Sequence, residues 1–260
     1  MYSEERRRQI ASLTAVEGRV NVTELASRFE VTAETIRRDL AVLDREGVVH
    51  RVHGGAVANQ TFQTTEFSLD TRARSASGAK NSIAHAALRY LPDMQGGMFL
   101  DAGTTTAALA ELICVQPAAK HWSIVTNSLS IALTLANSGL DEIQLLGGSV
   151  RAITQAVVGD TALRALALMR ADVAFIGTNA LTLDHGLSTA DSQEAAIKSA
   201  MITNAHKVVV LCDSTKMGTD YLVSFGSIDD IDVIITDANA PESFIKALRE
   251  RDVEVVIANA

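Results

Sequence analysis

Three segments at the start of the chain carry apolar residues at helical spacing. The apolar positions are Ile10, Leu13 and Val16 in the first segment, Leu25, Ala26 and Phe29 in the second, and Ile36, Leu40 and Leu43 in the third. Side chains three and four positions apart share one face of a helix, so the pattern predicts amphipathic helices over residues 3–16, 22–29 and 32–47. Each helix has one face to bury and one face to offer to solvent or to a partner.

The third predicted helix is the one best suited to contact a partner. The charged and polar side chains opposite or beside its apolar stripe are Glu34, Thr35, Arg37, Arg38 and Arg45. Thr32 is the expected N-cap, because its hydroxyl can accept a hydrogen bond from a first-turn N–H, and Gly47 is the expected end.

A short turn, Glu30-Val31-Thr32, joins the second and third helices. Two helices joined in this way match a helix-turn-helix, in which the second helix lies in the DNA major groove and its early residues reach base edges. The predicted DNA contacts on this helix are Thr32, Thr35, Arg37 and Arg38.

An alternating segment, residues 48–52, follows the third helix and predicts a β-strand, and Gly54-Gly55 can turn the chain back into a small wing. Arg51 and His53 on this wing would contact DNA phosphate or the minor groove. The alternative interpretation is a solvated charged helix followed by a surface hairpin. The arginines at positions 6 to 8 also have two interpretations, contact with phosphates or solvent-exposed pairing with Glu4 and Glu5.

From Lys80 onward, apolar strands alternate with helices. Strands are predicted at residues 97–100, 123–126, 142–146, 173–176, 208–212, 233–236 and 253–257. Runs of Val, Ile and Leu separated by helices indicate a mainly parallel sheet covered on both faces, so residues 78–260 are predicted to form an α/β domain. Residues 58–77 are rich in Thr, Ser, Gln and Ala and lack periodicity, which predicts a linker after an N-terminal domain of residues 1–57.

Small and polar residues follow four of the predicted strands, where ligands bind in open parallel sheets. They are Asp101, Gly103, Thr104, Thr105 and Thr106, then Thr126 and Asn127, then Gly147 and Gly148, and finally Asp213 to Lys216. A Gly-Thr turn that opens a helix offers N–H groups and the positive helix end to a phosphate, and Lys216 adds a countercharge. Each turn alone can be a simple helix cap, but four at one sheet edge predict a site for a small phosphorylated ligand.

Charge separates the two parts of the chain. Residues 1–60 hold nine Lys or Arg and nine Asp or Glu, and residues 61–260 hold 14 and 22, so the whole net charge of -8 falls in the second part. Charge alone therefore does not indicate DNA binding, and the prediction depends on where the arginines lie. Cys114 and Cys212 lie in apolar runs, which favours buried thiols over a metal site or a disulfide. With no apolar run of membrane-spanning length and no signal-like start, we expect a cytoplasmic protein without metal or cofactor.

The motifs of both parts resemble those of one family. Thr35-Ile36-Arg37-Arg38-Asp39-Leu40, Glu46-Gly47 and the run from Arg51 to Ala56 resemble the DNA-binding signature of DeoR-type bacterial transcriptional regulators. The four strand-end motifs described above resemble the effector-domain motifs of that family, whose fold resembles ribose-5-phosphate isomerase. The resemblance covers nearly the whole chain. It implies a repressor of carbohydrate uptake or catabolism genes that binds a double-stranded DNA operator and is controlled by a phosphorylated sugar.

A further motif, Gly186 to Thr189 with Asp191, Glu194 and Lys198, also resembles the family. The resemblance implies that Glu194 and Lys198 contact the ligand, whereas their spacing of four on a predicted helix equally favours an ordinary ion pair between them. Ala79 stands where the family carries an acidic residue before a lysine, so Lys80 is assigned no role.

Other functions remain open from the residues alone. The alternative is a sugar-phosphate isomerase-like enzyme fused to a DNA-binding domain, with Asp101, Glu194 and Lys216 as acid–base groups. The attached DNA-binding part favours a regulator that senses the ligand over an enzyme that turns it over. A nucleotide-binding module ranks last, because no Gly-x-Gly-x-x-Gly run follows a strand. One helix-turn-helix reads only a few base pairs, so we also expect a homo-oligomer, either a dimer or a tetramer.

Overall fold

The structure, a computed structural model, describes residues 3–17, 19–45, 48–52, 54–58, 69–93 and 95–259. The chain divides into two units, Met1–Phe62 and Gln63–Ala260. Each unit has its own hydrophobic core.

Three helices and a small sheet make up the described part of the first unit. They are α1 (Ser3–Glu17), β1 (Arg19–Asn21), α2 (Val22–Phe29), α3 (Ala33–Arg45), β2 (Val49–Val52) and β3 (Gly55–Ala58). The helices agree with the predicted ones, and Ile10, Leu25, Ile36, Leu40 and Leu43 from the predicted stripes are buried in one core. Apolar spacing therefore sets the helix-turn-helix arrangement.

The turn between α2 and α3 is fixed by local hydrogen bonds. Glu30 ends α2 in a left-handed conformation, with φ of 53°, and its N–H donates to the carbonyls of Ala26 and Ser27. Thr32 caps α3, because the Thr35 N–H donates to Thr32 Oγ1 over 3.2 Å. Gly47, the expected end of α3, lies outside the described residues.

The predicted wing is an antiparallel hairpin of β2 and β3. β3 also pairs with β1, a three-residue strand that the sequence pattern does not predict. Gly54 has φ of +82°, which favours glycine, and a Cβ on Gly55 would clash with the carbonyl oxygen of Val20 in β1. The two glycines are therefore required by the turn and by the close approach of β1.

The described part of the second unit is an α/β fold. Its helices are α4 (Leu69–Arg74), α5 (Ser77–Ala87), α6 (Thr104–Ile113), α7 (Leu129–Asn137), α8 (Asp160–Leu166), α9 (Ser192–Thr203) and α10 (Glu242–Arg249). Its strands are β4 (Gly96–Leu100), β5 (Trp122–Thr126), β6 (Ile143–Leu145), β7 (Ser149–Arg151), β8 (Ala156–Val158), β9 (Ala171–Gly177), β10 (Ala180–Thr182), β11 (Gly186–Thr189), β12 (Ala205–Leu211), β13 (Val223–Gly226), β14 (Val233–Asp237) and β15 (Glu254–Ala258).

All seven predicted strands lie in one parallel sheet with the order β15-β14-β12-β9-β4-β5-β6. From β4 the chain first builds outward through β5 and β6, and then returns to add β9, β12, β14 and β15 on the other side. The direction in which successive strands are added to the sheet thus reverses between β4 and β9. A crevice forms at the carboxyl ends of the strands at such a switch point, which is where ligands bind in open α/β sheets.

Separate cores cover the two faces of this sheet. Neighbouring residues of a strand point to opposite faces. Met98 and Leu100 of β4 accordingly pack in the cluster with α5, α6 and α7, whereas Phe99 packs in the cluster with α8, α9 and α10. Helices on both faces agree with the α/β prediction.

Several short elements differ from the sequence prediction. β7 and β8 form a hairpin, and β10, β11 and β13 form a small antiparallel sheet. These strands have three or four residues, too few to give a distinct apolar run. α4 lies within the predicted linker 58–77, and the second unit begins at Gln63 rather than residue 78. α4 has one large apolar residue, Leu69, and therefore shows no periodicity. Within the described ranges, every helix is too short or too polar to cross a membrane.

Candidate functional sites

The exposed face of α3 carries two of the predicted DNA contacts. The side chains of Arg37 and Arg38 are 56% and 82% exposed. Arg37 Nη1 lies 3.3 Å from Glu34 Oε2, and Arg38 Nε lies 3.9 Å from Glu34 Oε1. Exposed pairs of this kind contribute little to stability, so a DNA phosphate or base can replace Glu34 as the partner.

Arg37 also shares a groove with the wing. A groove of about 430 Å³ is lined by Arg37, by Arg51 of β2 and by the N-terminal residues of α2. The backbone N–H of Arg51 donates to Asp44 Oδ1 over 3.0 Å, which ties the wing to α3. The hydroxyls of Thr32 and Thr35 lie 2.9 Å apart. The structure thus brings Arg37 and Arg51 together, while His53 lies outside the described residues.

Arg6 fits neither predicted role of the N-terminal arginine run, namely contact with phosphates or solvent-exposed pairing with Glu4 and Glu5. Its Nε lies 2.6 Å from Asp39 Oδ2, and the two side chains are only 8% and 7% exposed. This buried ion pair joins α1 to α3. Since Arg6 faces the interior, it is available neither to a phosphate nor to Glu4 and Glu5 in solvent.

In the second unit, a cavity of about 230 Å³ opens at the switch point of the seven-stranded sheet. Residues at or just after the carboxyl ends of β4, β9 and β12 line it, together with residues of α4 and α5 and the turn between them. The lining consists of Arg72, Ser75, Lys80, Gly103, Thr104, Thr105, Gly177, Thr178, Leu211, Asp213 and Lys216. The predicted Gly-Thr turn and the predicted Asp213 to Lys216 segment therefore meet at one cavity.

The N-terminus of α6 forms one wall of the cavity. Gly103 precedes the helix and supplies no side-chain cap to its first N–H groups. Thr104 and Thr105 line the cavity, whereas the Thr106 hydroxyl donates to the carbonyls of Asp101 and Gly103, each over 2.9 Å. Thr106 therefore holds the turn, and uncapped N–H groups with two neighbouring threonines are left for a ligand.

Lys216 is carried by a short 3₁₀ turn, Ser214–Lys216. The backbone N–H and hydroxyl of Ser214 donate to the Asp237 carboxylate over 2.6 and 2.9 Å. Burial tends to raise the pKa of Asp237, but hydrogen bonds from Ser214 and from backbone N–H groups, including that of Asn239, together outweigh it and hold that pKa below its ordinary value. Asp213 caps the same turn by accepting from the N–H of Thr215 over 3.1 Å. Two carboxylates thus fix the loop that presents Lys216.

A buried ion pair lies beside the cavity. Lys198 Nζ donates to Asp101 Oδ2 and, over 2.8 Å, to the carbonyl of Gly177, and the Gly177 N–H donates to Asp101 Oδ2 over 3.0 Å. Asp101 Oδ1 is buried without a hydrogen-bond partner among the described residues and lies close to Gly103 and Gly177, which line the cavity. An unpaired buried carboxylate oxygen is unfavourable, so a ligand hydroxyl that donates to it would stabilise the complex.

Eight of the twelve predicted effector-binding residues do not line the cavity, and four of these eight lie at the ends of β5 and β6. Thr126 ends β5 and Asn127 follows it, and Gly147 and Gly148 follow β6, on the side of β4 away from β9. Asn127 Oδ1 accepts from the N–H of Ala102 over 2.9 Å, and its Nδ2 donates to the carbonyl of Val157. Asn127 therefore holds the turn after β4 through the hydrogen bond from Ala102 and does not line the cavity. The pattern of strands along the chain does not encode their order in the sheet, which is why these positions are grouped with the cavity in the sequence prediction.

Glu194 and Lys198 pair with other residues and not with each other. Lys198 holds Asp101, whereas Glu194 accepts from Arg151 Nη1 over 2.5 Å and from the Thr154 hydroxyl. Glu194 thereby fastens the β7–β8 hairpin to α9. The acid–base groups of the enzyme alternative are thus not assembled, because Lys216 lines the cavity while Glu194 is engaged by the hairpin.

Two cations at the cavity have no sequence-derived role. Arg72 comes from α4 and Lys80 from α5, and Lys80 Nζ donates to the carbonyl of Ser75 over 2.6 Å and to that of Arg72. Burial lowers the pKa of Lys80 to about 8, Asp213 opposes this shift, and Lys216 and Arg72 add to it. Both residues precede the first strand of the sheet, so the strand-end rule gives no signal for them.

Both parts of the chain match known families. Residues 6–62 match the DeoR-like helix-turn-helix domain, and residues 75–238 match the DeoR C terminal sensor domain. The putative aga operon transcriptional repressor of Escherichia coli is 32% identical over 97% of this chain and 93% of its own length. The transcriptional regulator GlpR of Haloferax volcanii is 34% identical over 98% of both chains, and the glycerol-3-phosphate regulon repressor of Escherichia coli is 30% identical over 98% of this chain and 99% of its own.

Solved structures give a weaker comparison. Ribose 5-phosphate isomerase A of Methanocaldococcus jannaschii aligns with a TM-score of 0.41 and 18% identity over 55% of each chain. The enzyme of Neisseria gonorrhoeae gives 0.40 and 13% over 54% of this chain and 53% of its own. Scores this low do not establish a common fold. The sequence matches are long and specific, and the chain belongs to the DeoR family of transcriptional regulators.

Proposed function

We propose that this chain represses genes of carbohydrate uptake or catabolism and that a phosphorylated sugar in the switch-point cavity controls its affinity for DNA. The observation that carries the proposal is the composition of the cavity. Arg72, Lys80 and Lys216 supply three cations at one end of α6, and the nearby Asp101 Oδ1 has no hydrogen-bond partner within the part of the chain that the structure describes. Cations and helix N-termini favour phosphate, and a carboxylate oxygen favours a sugar hydroxyl.

The names of the relatives support the same class of target. They are repressors of the aga operon and of the glycerol-3-phosphate regulon. For DNA recognition we assign base contacts to Arg37 and Arg38, and phosphate contacts to Arg51. Thr32 and Thr35 lie at the start of α3, the part of the second helix that reaches base edges in a helix-turn-helix complex. Two or more copies of the chain would bind an operator with repeated half-sites.

Control of DNA binding by the ligand requires only that the ligand bind the DNA-free and the DNA-bound protein with different affinities. If the ligand binds the DNA-free protein more tightly than the DNA-bound protein, it lowers operator affinity by that same factor, and the reverse preference raises it. The sign of the response is therefore measured by one paired titration, in which DNA affinity is followed with and without the ligand.

The test is calorimetric titration of the full chain with glycerol 3-phosphate, ribose 5-phosphate and glucose 6-phosphate and with their unphosphorylated counterparts. We expect a phosphorylated compound to bind and its counterpart to fail. Lys216→Ala should weaken the binding about ten- to hundredfold, because one charge-assisted contact is lost.

Lys246→Ala is the matched control, since Lys246 is a lysine of α10 whose side chain is 78% exposed. Its titration should match that of the parent chain. Equal affinity of the parent and Lys216→Ala chains for every probe would contradict the proposed site.

A further inference from the structure

We propose that α4 is a movable wall of the effector site, and that a bound phosphate joins Arg72 of α4 to Lys216 at the sheet edge and so fastens α4 over the cavity. This inference rests on the proposed function, because it takes the ligand to be a phosphorylated sugar. It adds an element, α4, whose attachment to the rest of the second unit depends on the ligand.

Among the described residues, polar bonds attach α4 to the rest of the second unit. The Leu69 N–H donates to the carbonyl of Ile153 over 3.1 Å, and Arg72 Nη2 donates to Asn179 Oδ1 over 3.2 Å. At the other end of α4, Lys80 Nζ donates to the carbonyls of Arg72 and Ser75. A helix of six residues is too short to be stable without such tertiary contacts.

Apolar packing contributes little to the attachment of α4. None of its described side chains is among the buried hydrophobic residues of the chain. Its two sides line different cavities, because Arg72 faces the switch-point cavity while Leu69 and Ala73 line a second cavity of about 300 Å³. A segment with few buried apolar contacts and space on both sides opens at a low free-energy cost compared with the core.

The charges around the cavity favour closure on an anion. Arg72, Lys80 and Lys216 face the cavity together with one carboxylate, Asp213. Without a ligand these cations repel one another, which opposes close approach of α4 to the sheet edge. A phosphate between Arg72 and Lys216 replaces this repulsion with two charge-assisted contacts, and one of them is to α4 itself. Ligand binding should therefore order α4, which is the first described helix after the DNA-binding unit in the chain.

The experiment is amide hydrogen exchange on the full chain, with and without a saturating concentration of the phosphorylated probe that binds most tightly in the calorimetric series. Exchange of the amides at residues 69–76 should slow at least about tenfold on binding, because local opening then requires loss of the phosphate contact. Inorganic phosphate serves as a second probe, since it presents the same charge without the sugar.

Two variants within α4 separate a specific contact from a general effect. Arg72→Ala should weaken probe binding about ten- to hundredfold and abolish the slowed exchange at residues 69–76. Arg74→Ala removes an exposed arginine of the same helix that does not line the cavity, and it should leave both measurements unchanged. Asn179→Asp places a carboxylate next to Arg72. This carboxylate should compete with the phosphate for Arg72 and so weaken probe binding.

The outcomes distinguish this inference from the proposed function. If a probe binds and Lys216→Ala weakens it, but Arg72→Ala binds like the parent and exchange at residues 69–76 does not change, the role of α4 is refuted and the sugar-phosphate site stands. If no phosphorylated probe binds the parent chain, both are overturned. Equal slowing of exchange in the parent and Arg72→Ala chains would also refute the bridging role of Arg72.

Discussion

At the scale of single residues, buried polar side chains fix the geometry of the two candidate sites, and exposed ones are accessible to the proposed partners. Asp101 and Asp237 accept hydrogen bonds from the turns beside the cavity, and Asp39 anchors Arg6 beneath α3. Arg37 and Arg38 lie on the solvent side of α3 and share the single carboxylate of Glu34. Substitutions of the exposed residues should therefore change binding more than folding.

Replacing Arg37 or Arg38 with Ala should weaken binding to a specific DNA site by about 1 to 3 kcal/mol, because a base-edge contact is lost. Fluorescence anisotropy with a DNA fragment selected from a random pool measures this, and circular dichroism checks the fold. Arg45→Ala, at the exposed end of the same helix, is the control. Unchanged affinity for both variants, with an intact fold, would remove α3 from the major groove.

The lowered pKa of Lys80 predicts a pH-dependent ligand affinity. The affinity for a phosphorylated sugar should fall as the pH rises through about 8, because the charged form of Lys80 attracts the phosphate and is lost in that range. A phosphate monoester, with a second pKa of about 6, stays dianionic there. Asp213, Lys216 and Arg72 are the charged groups that face Lys80.

Calorimetric titrations at several pH values on either side of this pKa measure the effect. Lys80→Met removes the titrating amine and should give a weaker and flatter profile. Identical profiles for the parent and Lys80→Met chains would show that Lys80 is not the group responsible.

At the scale of elements, the Arg6–Asp39 ion pair fixes the position of α3 against α1. Asp39→Asn should lower the free energy of unfolding by about 3 to 5 kcal/mol, since it leaves the charge of Arg6 buried without its partner. Urea denaturation followed by circular dichroism measures the loss. A double variant with Arg6→Met and Asp39→Leu should recover much of the stability, because buried apolar residues can replace a buried ion pair. An Asp39→Asn chain as stable as the parent would contradict the structural role of the pair.

Elements with strong apolar patterns were predictable, and those held by long-range contacts were not. The helices of the first unit and all seven parallel strands follow from runs or stripes of apolar residues. β1 and β7 have three residues each, and their pairing depends on partners distant in the chain. α4 is stabilised by Ile153, Asn179 and Lys80, which no local pattern connects to it.

The sequence predicts part of the cavity lining correctly and assigns other strand-end residues to it that lie elsewhere. The turns after β4 and β12 carry small and polar residues, and both line the cavity. The turns after β5 and β6 have similar sequences but lie beyond β4 on the other side of the switch point. Local composition therefore identifies a strand end, whereas the topology decides which strand ends meet.

At the scale of the whole molecule, the small reading surface of α3 predicts self-association. One α3 reaches only a few base pairs, so specific binding requires at least two copies on repeated half-sites. We expect a homodimer or larger assembly, held mainly through the second unit. Multi-angle light scattering measures the mass with and without DNA. A monomer under both conditions, at concentrations where DNA is bound, would contradict this expectation.

The location of α4 also determines where chimeric regulators can be joined. The helix-turn-helix family match ends at residue 62 and the sensor match begins at residue 75, so α4 belongs to neither. A sensor grafted from residue 75 would keep Lys80 and Lys216 but would receive its α4, and the residue at position 72, from the donor of the DNA-binding part. Such a hybrid would keep ten of the eleven residues that line the cavity and would replace only Arg72 with the residue of another protein. If the cavity and α4 bind the ligand as proposed, junctions placed before Leu69 should transfer the ligand preference, and junctions placed between α4 and residue 75 should change it.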